Sequence, residues 1–176
     1  ILGLVTEKHA NKNRKIKYTH IGNDKDFAKL LKKSKNAFIA IGFIRDSINR
    51  ANIFSKLKKI GFHLPVIISP TSYKSNQSTL NEGTILMHNS FVNSQVKIGK
   101  NCIINTGSVI EHEAIIGDNV HISTSAVVNG SVEIGSGSFI GSNSVIKEGI
   151  KIGNNCIVSA GSFLRRDLKS GTRFNK

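Results

Sequence analysis

From residue 80 onward the chain carries an aliphatic residue at every sixth position. Leu80, Leu86, Val92, Ile98, Ile104, Ile110, Ile116, Ile122, Val128, Ile134, Ile140, Ile146, Ile152, Val158 and Leu164 form an unbroken series of fifteen. If about a quarter of residues are aliphatic, such a run arises by chance roughly once in a billion. Four residues after each member stands, in nearly every case, a small or β-branched residue: Thr84, Ser90, Val96 and Cys102 begin this second series, and Cys156 and Ser162 end it. Glycine often follows the aliphatic directly, as at Gly99, Gly117, Gly135, Gly141 and Gly153.

A period of six is neither the 3.6 of an α-helix nor the 2 of a half-buried strand. It suits a short strand and a sharp bend, repeated. Three such hexads make one triangular coil, with the aliphatic residue inside and the small residue in the narrow corner. Coils stack at the ordinary strand spacing of about 4.8 Å. Each buries its core only against its neighbours, so several are needed. The series predicts a parallel β-helix of four to five coils over residues 80–164. A β-sandwich has no reason to hold sixfold register.

Residues 1–79 read differently. Residues 1–5 read as a buried strand and 8–17 as a polar surface loop. A turn at 20–24 precedes a helix over 26–35, with Asn23 or Asp24 as its cap and Phe27, Leu30 and Leu31 at helical spacing. Residues 37–42 predict a second strand. Residues 45–60 predict a helix with Ile48, Phe54 and Leu57 apolar, stopped by Gly61. Residues 64–68 predict a third strand, and 69–79 a polar connection. Strand and helix in alternation imply a parallel sheet with crossover helices, too short for a complete dinucleotide-binding fold. No G-x-G-x-x-G turn is present, and Gly42 reads as a strand-end turn. The expected division is an α/β unit at 1–79 and an all-β unit at 80–176.

Charge sharpens that division. Residues 1–79 carry 16 Lys/Arg and 4 Asp/Glu, against 9 and 7 in residues 80–176. The lysines lie on predicted helix faces without the interleaved aromatics of a nucleic-acid stacking platform. They read as a solvated surface with an attraction for phosphorylated ligands, and nucleic acid is not an expected partner. No apolar run reaches the roughly 18 residues of a membrane span. Residues 1–5 are too short for a signal peptide and have no basic leader. Cys102 and Cys156 stand nine hexads apart. That is three coils or roughly 14 Å, too far for a disulfide, so a reduced, cytoplasmic protein is expected.

The repeat also works as a ruler for side-chain direction. His112 is the third residue of its hexad and His121 the last of the next. Neither uses an inward position, so both should point out of the prism. A histidine titrating near neutrality suits general-base chemistry. His88 shares the phase of His112, and His9, His20 and His63 fall at loop or surface positions; none of these is assigned a role. His112 and His121 have no third ligand at zinc spacing, so no metal is expected.

Around these histidines the chain reads Asn105-Thr106-Gly107-Ser108-Val109-Ile110-Glu111-His112-Glu113, then Ile116-Gly117-Asp118-Asn119-Val120-His121-Ile122. These motifs resemble those of the hexapeptide-repeat acetyltransferases that modify sugars, both the nucleotide-amino-sugar N-acetyltransferases and the sialic-acid O-acetyltransferases. The resemblance covers nearly the whole chain. It implies a left-handed β-helix preceded by a small Rossmann-like subdomain, here incomplete, that binds substrate. It implies an enzyme using acetyl-CoA, assembled as a homotrimer with active sites between subunits.

By the same resemblance His112 matches the general base and Glu113 its acidic neighbour. His121 and Asn105 match residues near the reacting acetyl and amine groups. Gly130 matches a backbone contact near the thioester carbonyl, and Ser142 and Ala160 match positions lining the coenzyme A channel. The family's initial strand with a Gly-Gly-His turn and its final G-x-P-A-K segment have no counterpart here, while Glu7 stands where the family tends to be acidic. The leading expectation is N-acetylation of a UDP-linked deoxyamino sugar by direct transfer. O-acetylation of a sialic-acid-like sugar and a non-catalytic β-helix assembly subunit are the alternatives. A β-helical carbonic anhydrase needs three histidine ligands, and the pattern offers two.

Overall fold

Each aliphatic residue of the series closes a two-residue strand and turns its side chain inward. In the computed structural model, which describes residues 1–6 and 18–175, the inward positions from Leu86 to Leu164 are all at most 3% exposed. The small residues four positions later are buried beside them, from Thr84 to Ser162. Together they form one continuous apolar column. The Glu7 match, His9 and the loop expected at 8–17 lie outside the described residues.

The strands gather into three parallel sheets of six, five and seven strands, one per face of the prism. Partners lie three hexads apart, as in Ile103↔His121 and Val109↔Val127. Between faces the chain bends through one residue of positive φ per hexad: Gly83, Asn89, Gln95, Asn101, Gly107, Glu113 and onward. Glycine and asparagine dominate these positions because they tolerate the left-handed conformation at least cost.

The β-helix is longer than expected at both ends. The strand Ile67–Ile68, read from sequence as the third strand of an N-terminal sheet, pairs instead with Ile85–Leu86. Tyr73–Lys74 and Thr79–Leu80, expected within a connection and at its end, pair with Phe91–Val92 and Lys97–Ile98. The aliphatic series hid this coil because Lys74 stands at an inward phase. It does so at the open end of the prism, where the lysine is half-buried and its ammonium donates to the Ser75 carbonyl. At the other end Arg173–Phe174 pairs with Ile157–Val158, and Leu168 with Ile152, each falling two residues short of three hexads. The final coil is contracted by that amount, so its core residues left the sixfold register.

The N-terminal part packs a smaller core of Phe27, Leu30, Ile39, Leu57, Phe62 and Leu64. Its sheet has two parallel strands, Leu4–Val5 and His20–Gly22. Asn23 caps the 3₁₀ turn Asp24–Asp26 through a reciprocal bond pair, accepting from the Lys25 N–H while its own N–H reaches the Asp26 carboxylate. Helix α1 (Phe27–Leu31) follows, and helix α2 (Ile48–Ile60) ends at Gly61, whose φ of 107° demands glycine.

The expected three-stranded sheet is not formed among the described residues. The segment 37–42 makes no strand, and only the flanking Asn36 bridges to His63. Two of its carbonyls, those of Ile39 and Ile41, are taken by the guanidinium of Arg50. Leu57 is buried and Phe54 packs against the core as expected, but Ile48, on the first turn of α2, is 65% exposed.

Helix α2 lies along one ridge of the prism. Arg50 bonds the Asn101 carbonyl. Cβ atoms built on Gly83 and Gly137 would stand 2.8 and 3.2 Å from Phe54 and Ser47. Residues 47, 50 and 54 share one helical face, and 83, 101 and 137 share one corner of the coils.

Shortening an inward residue leaves a void that the rigid coil cannot close. Ile140→Ala should cost about 2–5 kcal/mol, read as a lower midpoint in denaturant unfolding. The same change at the outward, exposed Ile115 should cost well under half of that.

Candidate active site

His112, Glu113 and Gly130 meet at one corner of the prism. Adjacent side chains in a strand point apart, which would separate His112 from Glu113. The two residues are not in a strand. Glu113 occupies the left-handed corner position, with φ of 60°, and the bend brings its carboxylate back to the imidazole. Glu113 Oε2 accepts from His112 Nδ1 at 3.2 Å and from the Ser131 hydroxyl at 3.3 Å. A carboxylate only accepts, so Nδ1 carries the hydrogen and the Nε2 lone pair is left unspent. Both side chains are more than half exposed.

Gly130 lies one coil above His112. A Cβ there would stand 2.6 Å from His112 Cε1 and 2.7 Å from Nε2, so the missing side chain lets the imidazole lie against the backbone. Glu113 carries its own signal. Glycine and asparagine fill most of the left-handed corners, and the longer side chains of Gln95 and Glu113 carry the strain of that conformation. Of these two, Glu113 turns its carboxylate onto an imidazole, which points to a role for the side chain.

Asn105 and His121 form a second cluster. His121 points out of the prism as predicted, yet it is only 8% exposed. It is covered from the N-terminal part by Phe43, whose ring meets the imidazole edge-on at 5.5 Å, with Phe139 at 5.2 Å on another side. His121 Nδ1 donates to the Phe43 carbonyl at 2.8 Å. The Thr106 N–H binds Asn105 Oδ1 at 2.8 Å, which identifies the two ends of that amide. Asn105 Nδ2 therefore faces His121 Nε2, at 3.2 Å, and Nε2 must accept. The imidazole is neutral, with its hydrogen on Nδ1. Its pKa agrees: burial holds it below the ordinary 6.5, the Phe43 carbonyl acts in the opposite sense, and Arg50 adds to the lowering.

Ser142 lies on the ridge that follows from Asn105, and its hydroxyl meets that of Ser123 at 2.9 Å. Ala160 stacks one coil above, so close over Gly141 that a Cβ on the glycine would reach the Ala160 nitrogen. The two clusters do not meet in one chain. His112 and His121 are a hexad and a half apart, which is half of one coil, so they sit on opposite sides of the prism.

His88 bonds the Ser69 hydroxyl. Burial pushes the Cys102 thiol up to about 12. Among the described residues no three His, Cys, Asp or Glu side chains gather as a metal site, and no helix is long and apolar enough to cross a membrane.

The model for the bacterial transferase hexapeptide (six repeats) matches residues 96–130 and 113–148, and that for the hexapeptide repeat of succinyl-transferase matches 131–166. Perosamine N-acetyltransferase from Caulobacter crescentus, solved with CoA and GDP-perosamine, superposes with a TM-score of 0.85 at 29% identity, over 89% of this chain and 73% of that one. These matches support a hexapeptide-repeat sugar acetyltransferase. WeeI from Acinetobacter baumannii AYE is similar at 26% identity, TM-score 0.76, over 92% and 77% of the two chains. The acetyltransferase domain of PglB from Neisseria gonorrhoeae FA1090, at 24% identity and TM-score 0.81 over 89% and 75%, shares the fold. A comparison with curated proteins finds no match.

In this acetyltransferase a buried neutral His121 makes stability depend on pH. Its folded pKa lies below its unfolded one, so the unfolded chain takes up the proton first as pH falls. The contribution is complete above about 6.5 and is lost below it. Melting temperature should therefore fall between pH 7 and about 5 by more in the wild type than in His121→Gln, as read by thermal unfolding.

Proposed function

We propose that this acetyltransferase transfers the acetyl group of acetyl-CoA to the free amine of a nucleotide-linked amino sugar, with His112 as general base. The observation that carries the reading is the corner itself: an exposed imidazole, oriented by a strained glutamate, with its Nε2 lone pair unspent. The amine nitrogen attacks the thioester carbonyl while His112 Nε2 takes its proton. The tetrahedral intermediate collapses, the C–S bond breaks, and the proton passes to the departing thiolate. Glu113 holds the tautomer and steadies the imidazolium. The Ser131 hydroxyl at this corner donates to Glu113 rather than to His112 Nε2, which favours direct transfer.

Asn105 and His121 face the acetyl group in this reading. Asn105 spends its oxygen on Thr106 and one N–H on His121, so its second N–H is free for the developing oxyanion. Gly130 offers backbone beside His112, and Ser142 and Ala160 border the coenzyme A channel along the next ridge. The nucleotide end is assigned to the basic N-terminal part. The UDP-linked sugar expected from the motifs and the GDP-linked sugar of the Caulobacter structure share a nucleoside diphosphate and a free amine.

The site is completed between subunits of a homotrimer. Two observations support this. The clusters around His112 and His121 lie on opposite sides of one prism, so a second copy is needed to join them. One prism face also presents Tyr73, Phe91, Val109, Val127, Val145 and Phe163 outward, with Tyr73 and Phe163 more than half exposed.

Thiol release from acetyl-CoA, measured with UDP- and GDP-linked 4-amino sugars and with sialic acids, tests the reading. His112→Ala should lose about 10²- to 10⁴-fold in rate. Full activity in that variant rejects the base assignment. Thiol release with sialic acids alone moves the acceptor from nitrogen to oxygen, and none with any acceptor favours a non-catalytic assembly role. Glu113→Asn should lower kcat while raising the unfolding free energy by up to about 1 kcal/mol, read from denaturant unfolding, because asparagine suits the left-handed corner.

A further inference from the structure

Arg50 is the largest fully buried side chain, at 1% exposure, and no carboxylate among the described residues neutralises it. All its acceptors are backbone carbonyls. Nε donates to Asn101 O at 3.1 Å and Nη2 to Gly83 O at 3.4 Å, both on the ridge of the coils. Nη1 donates to Ile39 O at 2.6 Å and Ile41 O at 2.8 Å. Burial lowers the guanidinium to about 10, so it stays charged at neutral pH. An apolar residue of the same volume would often hold such a seam as well or better. The arginine is therefore explained by what its geometry specifies.

That specification leads to His121. Nη1 fixes the carbonyls of Ile39 and Ile41, and the segment then runs two residues further to Phe43. The Phe43 carbonyl takes the Nδ1 hydrogen of His121. With Nδ1 protonated, Nε2 accepts from Asn105 Nδ2, which holds the amide in the same sense as the Thr106 N–H does by binding Oδ1. We infer that Arg50 is a positioning residue for acetyl transfer: it holds the 39–43 segment against the coils, selects the Nδ1–H tautomer of His121 and thereby aims the remaining N–H of Asn105. The inference rests on the reading that Asn105 faces the acetyl group.

The relay predicts a spectroscopic signature that does not require turnover. In the full-length protein labelled with ¹⁵N-histidine, two-bond ¹H–¹⁵N correlations should show His121 neutral with its proton on Nδ1. Arg50→Met should shift His121 toward the Nε2–H form and lower kcat about tenfold to a hundredfold, with KM for acetyl-CoA near the wild-type value. Arg50→Lys, which retains the charge and reaches fewer carbonyls, should recover part of both. A wild-type His121 protonated on Nε2 overturns the inference, whether or not the variants fold. So does a folded Arg50→Met with unchanged tautomer and kcat. Loss of all acetyl transfer in the wild type would instead count against the proposed reaction, and the tautomer measurement would still decide whether the relay exists.

Discussion

Everything in this protein depends on closing each coil within three hexads. Three two-residue strands and three left-handed corners leave room inside for one aliphatic and one small side chain per hexad. Away from the open end of the prism, any residue placed at those phases is buried, whatever else it does. Cys102 and Cys156 show the force of this constraint: both occupy the narrow corner position and both are buried free thiols. The same constraint frees the remaining positions. Outward and corner residues are not needed for the core, so chemistry accumulates there.

The corner is where the fold shapes the proposed site. A left-handed bend is needed once per hexad, and most bends use a residue that suits it. At Glu113 the bend turns two adjacent side chains toward each other, which no strand or helix does for neighbours in sequence. The dyad with His112 is thus a product of the corner conformation. Gly130 contributes through the side chain it lacks, one coil away, so that the imidazole has a flat surface to lie on.

The N-terminal part contributes by covering one face of the prism. Helix α2 lies along a ridge, and the segment before it reaches over His121. A histidine that the repeat leaves outside is thereby buried, stripped of most of its solvent and held neutral. His112, half a coil away, stays open. Two imidazoles of one prism thus have opposite environments, one set by contact with the N-terminal part and the other by the lack of cover. How much of this was legible differs by residue. The inward series, the small corner series, the cap at Asn23 and the stop at Gly61 are local patterns, and each can be read directly because the cause lies within a few residues. The first coil was hidden by Lys74, although Ser72 and Ser78 already stood at the small corner phase and marked it. The last coil was hidden by its two-residue contraction. Arg50 and Phe43 carried no motif at all, and a lone arginine in a basic helix gives no sign of burial.

Periodicity alone settles the β-helix, its phase and the outward direction of His112 and His121, because a period is a property of the chain and coil stacking follows from it. Contacts in three dimensions settle that His121 is buried and neutral, that Glu113 turns back onto His112, and that the residues after 66 belong to the coils rather than to an N-terminal sheet. Those outcomes arise between segments far apart in sequence or from a bend that no residue type announces. A carbonyl at 43 or a guanidinium at 50 competes with water for groups in the coils, and no spacing along the chain records which of them wins.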